Sequence, residues 1–191
     1  MPEKRLERAF FMTDALVLSK NLIGKIMVHN TPFGRIRGII TETEAYMGVE
    51  DKGSHTYGGK RTNRTEPMFH IGGTSYVYFI YGMYNCVNVT AGAVDTPMAV
   101  LIRQVEPADE ESRERMERFR GKKKNLSDGP GKLCIAMNIT KADNDIDMVT
   151  DENFYLTEGI EVDESRIAAG KRIGIDYAEE AADYLWRFTL T

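Results

Sequence analysis

The sequence predicts an α+β fold built around a mainly antiparallel sheet. Three observations carry that prediction. Strand-like segments follow one another across short turns, without the strand–helix–strand alternation of a parallel sheet. Helical segments with recognisable start signals flank them. The 191 residues, 42% of them hydrophobic, favour a single domain over residues 1–191 with a full core of its own.

The elements can be justified in order. Thr13 or Asp14 can cap a helix through Leu16, Leu18, Leu22 and Ile23, with Gly24 near its end. Strands follow around Lys25 to His29 and Gly34 to Glu44, and Thr31-Pro32-Phe33-Gly34 reads as the turn between them. Gly48 to Gly73 is polar and Gly-rich, a long loop of the kind usually kept for function or left disordered. Strands from Thr74 to Ile80 and Cys86 to Thr90 are joined through Tyr81-Gly82-Met83-Tyr84-Asn85, and another strand spans Met98 to Glu106. Pro107 opens a charged helix with Asp109, Glu110 and Glu111 early and bases later, which suits the helix dipole. Ser127 to Gly131 is a loop leading to a helix that begins near Lys132, and short strands and turns fill the rest.

Composition sets the outer limits of function. No apolar run approaches the ~20 residues of a membrane span, and the polar start from Met1 to Arg8 does not read as a signal peptide. A cytoplasmic protein without a membrane partner, working as a monomer, is expected. Cys86 and Cys134 lack metal-ligand spacing and are expected to be free, partly buried thiols. The net charge of −4 argues mildly against a general nucleic-acid binder. Its distribution argues less so. Arg113, Arg115, Arg118, Arg120, Lys122, Lys123 and Lys124 face only Glu114 and Glu117, and Lys60, Arg61 and Arg64 form a second cluster. Both could equally be solvated faces.

Three features can carry chemistry. In Glu42-Thr43-Glu44-Ala45-Tyr46, residues two apart on a strand share a face, so two carboxylates and a phenol point the same way. Like charges so placed raise one another's pKa. The set reads either as an exposed polar face or as a general base beside an aromatic platform. In Tyr76-Val77-Tyr78-Phe79-Ile80-Tyr81, alternation separates Tyr76, Tyr78 and Ile80 from Val77, Phe79 and Tyr81. Val77 and Phe79 are expected in the core. Tyr81, beside Gly82 at a hairpin tip, is placed to act as a wedge between stacked bases. On the return strand Asn88 can read the edge of a base. The third feature is His55, alone in the polar loop. His29 and His70 are equally isolated and read as surface or structural groups, and no histidine or cysteine spacing supports a metal site.

Several independent motifs in order resemble one family. Glu42-Thr43-Glu44-Ala45-Tyr46 is followed by Asp51, His55, Gly58-Gly59, Thr62, Arg64 and Met68-Phe69. Then come Gly73-Thr74, Tyr76-Val77-Tyr78, Ile80-Tyr81-Gly82-Met83-Tyr84, Cys86 and Asn88. Val100-Leu101-Ile102-Arg103, Glu106-Pro107, Gly129-Pro130-Gly131-Lys132-Leu133-Cys134 and Arg172-Ile173-Gly174-Ile175 complete the pattern. From Phe10 to Phe188 the chain resembles the alkyladenine (3-methyladenine) DNA glycosylases. The resemblance implies a curved antiparallel sheet with flanking helices and a protruding hairpin. It implies that Glu44 activates a water for attack on C1′ of a flipped nucleotide, with Arg103 and the Ile173 carbonyl holding the water. Tyr46 would stack on one side of the damaged base, and His55 with Tyr78 on the other. Asn88 and Leu101 would line the pocket. Tyr81 would fill the gap in the duplex, and Met83, Tyr84, Lys132 and Arg64 would contact DNA. The partner implied is double-stranded DNA containing damaged purines, with no cofactor and no metal. Two rival readings stay open: a non-catalytic nucleic-acid-binding module, and a metal-dependent hydrolase using Glu44 and His55.

Overall fold

The apolar periodicities resolve into one curved antiparallel sheet with its helices packed on one face. The computed structural model describes residues 3–80, 82–122 and 124–191. The strands are β1 (Ile26–Thr31), β2 (Gly34–Tyr46), β3 (Ser75–Ile80), β4 (Tyr84–Ala91), β5 (Met98–Pro107), β6 (Phe154–Thr157), β7 (Ile167–Gly170) and β8 (Arg187–Leu190). Their order is β3-β4-β5-β2-β1-β6, and β8 pairs with both β2 and β7. The helices are α1 (Arg8–Phe11), α2 (Ala15–Leu22), α3 (Glu110–Arg120) and α4 (Pro130–Ala136).

Local chemistry accounts for the helix ends. Asp14 caps α2 by accepting from the Val17 amide, and Asp109 caps α3 by accepting from the Ser112 amide. Pro130 takes the first position of α4, where its missing N–H costs nothing, so this helix starts two residues before Lys132. The long polar segment contains short 3₁₀ turns at Gly48–Glu50, Tyr57–Gly59 and Glu66–Phe69. Leu18 and Leu22 of α2, Met116 of α3 and Leu133 of α4 share a core with Ile36, Ile40, Val87, Val89, Val100 and Ile102 of the sheet.

The sheet contains one irregularity that decides the site. Between Ile40 and Thr43 of β2 the pairing with β5 shifts twice: Ile40 faces Val105, Glu42 faces Gln104, and Thr43 faces Ile102. Thr41 and Arg103 are the unmatched residues, a pair of adjacent bulges. Before the bulge Ile36 and Ile40 lie in the core; after it, Ala45 does. The Thr43 hydroxyl donates to the Ser19 carbonyl of α2. The alternation has changed phase, and Glu42, Glu44 and Tyr46 are turned to the opposite face.

At the far end of the sheet is the β3–β4 hairpin, whose return strand starts at Tyr84 beside the start of α4. Phe79 was expected in the core but is 53% exposed. It shares its side of the strand with buried Val77, but it stands at a cavity, which it lines together with Ile80. Among the described residues no helix is long and apolar enough to cross a membrane.

Candidate active site

Strand register assembles the site on the face of the sheet opposite the main core. Tyr76 of β3 pairs with Asn88 of β4, Asn88 with Leu101 of β5, Leu101 with Glu44 of β2, and Glu44 with Arg187 of β8. These side chains therefore lie in one row across the sheet. Tyr46, His55, Arg64, Tyr76, Tyr78, Asn88, Leu101, Arg103 and Ile173 all line a cavity of about 510 Å³.

Glu44 is fully buried behind the cavity lining, in contact with Tyr46, Arg103 and Ile173, which do line it. The Tyr46 hydroxyl donates to Oε2 at 2.8 Å, and the Ile173 amide donates to Oε1 at 2.8 Å. An Arg103 nitrogen lies 3.3 Å from the same Oε1. Burial raises the Glu44 pKa, and Arg103 with the two donors opposes that rise. Burial, with Glu44 beside it, also pushes the Tyr46 phenol well above its ordinary value, so this hydroxyl keeps its proton and remains a donor. Arg103 also donates to Glu42 Oε1 at 3.3 Å, and Arg187 donates to that oxygen at 3.0 Å. The two carboxylates thus differ: Glu42 is tied to two arginines, whereas Glu44 meets a phenol, an amide and one arginine. Sequence reasoning assigned the Ile173 carbonyl to the site; what touches Glu44 here is the Ile173 amide.

The aromatic walls have separate supports. Tyr46 lies under the Arg172 guanidinium, 4.8 Å from the ring centre, and the same guanidinium is 4.8 Å from Trp186. Arg172 is fully buried with Asp51, which takes two of its hydrogen bonds, and it also donates to the Ala45 and Ala181 carbonyls. This ion pair pins the segment carrying Ile173 against the end of β2. Opposite, His55 stands edge-on to Tyr78 with ring centres 4.6 Å apart, and its Nδ1 is 3.0 Å from the Tyr76 hydroxyl. Burial, with the nearby Arg64 charge, lowers the His55 pKa to about 4. The Asn88 amide donates to the Tyr76 carbonyl at 3.0 Å.

The residues expected at a DNA surface are more dispersed. Met83 is 66% exposed on the hairpin. Tyr84 packs on the start of α4, where a Cβ on Gly131 would come to 3.0 Å from the Tyr84 side chain, so any larger residue there would make Tyr84 give way by a few tenths of an ångström. Lys132 is bound to Asp128 at 3.0 Å. Arg64 reaches over the Tyr78 ring at 5.3 Å, at the cavity itself. Its sequence neighbour Arg61 is engaged by Glu66 and Asp95. Tyr81, the expected wedge, lies outside the described residues.

Tyr76, Asp51, Arg172 and Arg187 were given no role from the sequence. Tyr76 could have been found, because alternation already placed it beside Tyr78. The others are brought in by contacts 121 to 145 residues apart, for which no spacing rule exists. Among the described residues no group of three or more His, Cys, Asp and Glu could hold a metal ion. His29 and His70 lie elsewhere: His29 is against Asp143 and the Met137 carbonyl, and His70 is against Asp145. Cys86 and Cys134 are free and both buried.

The chain has relatives among known proteins. Residues 9–191 match the family model described as methylpurine-DNA glycosylase. A Clostridium novyi (strain NT) protein named "Putative 3-methyladenine DNA glycosylase" is 49% identical over 193 residues, covering 97% of this chain and 94% of the relative. A Clostridium perfringens (strain SM101 / Type A) protein of the same name is 47% identical over 195 residues, covering 96% and 94%. One from Desulfitobacterium hafniense (strain Y51) is 44% identical over 197 residues, covering 98% and 95%.

Proposed function

The chain belongs to the methylpurine-DNA glycosylase family, and on that footing we propose that it removes alkylated or deaminated purines from duplex DNA by hydrolysis of the N-glycosidic bond. The observation that carries the mechanism is Glu44, buried with its oxygens oriented by Tyr46, Ile173 and Arg103, three residues that line an aromatic-walled cavity.

A base inside a duplex is out of reach of such a cavity. The nucleotide must leave the stack, at a cost of a few kcal/mol that is least for damaged or mispaired bases. Stacking on aromatic side chains returns roughly 1–3 kcal/mol per base, and Tyr46 on one side with His55 and Tyr78 on the other supply it. Glu44 then takes a proton from a water as that water's oxygen bonds to C1′. The bond from C1′ to the base breaks, and its electron pair leaves with the base. Arg103 holds the carboxylate in position, and the Ile173 segment closes the other side of the water. A cationic alkylated purine departs as a neutral molecule, whereas a deaminated purine must gain a proton as it leaves. Among the described residues no lysine lines the cavity, so the reading is monofunctional, leaving an abasic site without a Schiff base.

The test is Glu44→Gln. Base release should fall by about 10²–10⁴-fold, read as alkali-labile sites in duplexes that each carry one modified purine. Binding of the same duplexes should stay near wild type. Glu42→Gln should cost much less. Retained activity in Glu44→Gln would rule out this mechanism and favour a non-catalytic DNA-binding role for the cavity.

A further inference from the structure

We propose that Glu42 and Arg187 are positioning residues for Arg103: they hold its guanidinium as a bridge between two carboxylates, so that it orients Glu44 without fully neutralising it. The inference deepens the reading above and rests on it only for the reaction that Glu44 serves.

Four side chains of alternating charge touch one another in turn. Arg103 donates from Nε to Glu42 Oε1 at 3.3 Å, and its Nη1 lies 3.3 Å from Glu44 Oε1. Arg187 donates from Nη1 to the same Glu42 oxygen at 3.0 Å. The contacts therefore run from Glu44 to Arg103, to Glu42, to Arg187. The strands set this order. Glu42 and Glu44 share a face of β2, Arg103 enters from the bulge in β5, and Arg187 enters from β8. The side chains are 29% exposed at Arg187, 11% at Glu42, 10% at Arg103 and 0% at Glu44, so water screens the inner contacts least. Among the described residues, Arg103 lines the cavity and Glu42 and Arg187 do not. Those two therefore act through Arg103.

A guanidinium committed to one buried carboxylate favours the ionised form and weakens it as a base. Glu42 prevents that commitment, because it takes the Arg103 Nε–H and sets a negative charge beside Glu44. Glu42 with no other cation would draw Arg103 away from Glu44. Arg187 offsets that pull by giving Glu42 a second cation. The two residues thus act on Glu44 in opposite senses. Without Glu42, Arg103 faces Glu44 alone, and Glu44 becomes more acidic. Without Arg187, Glu42 holds Arg103 more firmly, and Glu44 becomes less acidic. The other groups around Glu44 do not titrate with it. Burial holds the Tyr46 phenol of β2 and the Tyr78 phenol of β3 well above their ordinary value, and pushes the Cys86 thiol of β4 up to about 11. Arg172, over the Tyr46 ring, is closed on Asp51. Arg187 has one further contact, from Nε to the Lys171 carbonyl at 2.7 Å, two residues before Ile173. That contact is a second route from Arg187 to Glu44, and it bypasses Glu42.

The experiment has two arms, each run below the Tm of every variant. The first follows the carboxyl ¹³C signals of the glutamates against pH in the free protein, with Glu44 assigned from Glu44→Gln. Glu42→Gln should raise the acid dissociation constant of Glu44 by about tenfold, and Arg187→Gln should lower it by about tenfold. Arg187→Lys, which keeps a cation at Glu42, should titrate as the wild type does. In the double variant the Arg187→Gln effect should disappear, because the residue it acts through is gone. Displacement of both single variants in the same direction overturns the proposal. So does an Arg187→Gln effect that persists in full without Glu42, which would assign it to the Lys171 contact. If Arg187→Gln does not fold, Glu42→Gln decides alone, and an unchanged or weakened acidity of Glu44 is the overturning result. The second arm measures base release against pH from a duplex holding one N7-methylated purine, a cationic base that leaves without gaining a proton. The acid limb should move to lower pH in Glu42→Gln and to higher pH in Arg187→Gln. Limbs that stay in place while the carboxyl titrations move overturn the role in the reaction. Absence of base release by the wild type from this and every other modified duplex defeats the glycosylase reading itself, and the sharing of Arg103 is still decided by the first arm.

Discussion

Glu44 and Glu42 stand two residues apart on one strand, yet their surroundings assign them different work. Strand alternation singled out Glu44, Tyr46, Tyr78 and Asn88 in the sequence, whereas His55 stood alone in a polar loop and it and Arg103 were given roles only by the family resemblance. The residue that secures them was given no role. Arg172 and Asp51 are both fully buried and bound to each other across 121 positions, and nothing local to either predicts the other. Breaking a buried pair leaves one charge without compensation, at a cost of about 3–5 kcal/mol. Asp51→Asn should therefore lower Tm by roughly 6–20 °C in a protein of this size, measured by thermal unfolding. It should also reduce activity below Tm, because Arg172 supports Tyr46 and precedes Ile173. A variant as stable as wild type would mean that the pair contributes nothing net. Phe79 shows the converse limit: strand alternation gives a side but not whether anything covers it.

At the scale of elements, alternation correctly put Glu42, Glu44 and Tyr46 together. It could not reveal that Ile36 and Ile40, also even-numbered, lie on the other face. That needs the bulges at Thr41 and Arg103, and bulges depend on pairing with a partner strand. The hairpin carries a second expectation. If Tyr81 is a wedge, Tyr81→Ser should impair excision of a well-paired lesion more than a mismatched one, since extrusion costs more there. A large drop in Tm with an unchanged paired-to-mismatched ratio would instead make Tyr81 a support of the fold. A third prediction concerns β1 and the segment after α4. His29 Nδ1 meets the Met137 carbonyl at 2.9 Å, and Nε2 is 3.4 Å from Asp143. Burial would lower the His29 pKa, but the Asp143 and Met137 contacts outweigh it and the net shift is upward. A pKa raised on folding contributes stability that is complete below about pH 6.5, the unfolded value. That stability is lost as pH rises through the folded value. The stability advantage of wild type over His29→Gln should be greater at pH 5.5 than at pH 8.5 in urea titrations, and a constant difference would refute the coupling.

At the scale of the molecule, an acidic chain must bind DNA through a local surface. The net charge of −4 sets the average, and pairing then removes part of each basic cluster: Arg61 is held by Glu66 and Asp95, Arg113 by Glu110, and Arg115 by Glu111. Affinity for undamaged duplex should still fall with salt, with a log–log slope near ~0.9 per phosphate contact. Lys132→Ala should flatten that slope by at most about one contact, since Lys132 must first leave Asp128. A slope insensitive to salt would place the DNA surface elsewhere. Fold class was legible because antiparallel strands and capped helices mark themselves locally. Strand order was not, because β2 lies between β5 and β1 and also takes β8 from the chain's last turn. That topology has a temporal side. Glu44 is translated early, but Ile173, 129 residues later, provides its amide, and Arg187 completes the neighbouring arginine pair on Glu42. A nascent chain stalled before Arg172 carries the carboxylate without the Ile173 donor and without the Asp51 ion pair. The ribosome thus supplies the orienting parts of the site long after the carboxylate they orient, and the site cannot assemble before Ile173 and Arg187 have been made.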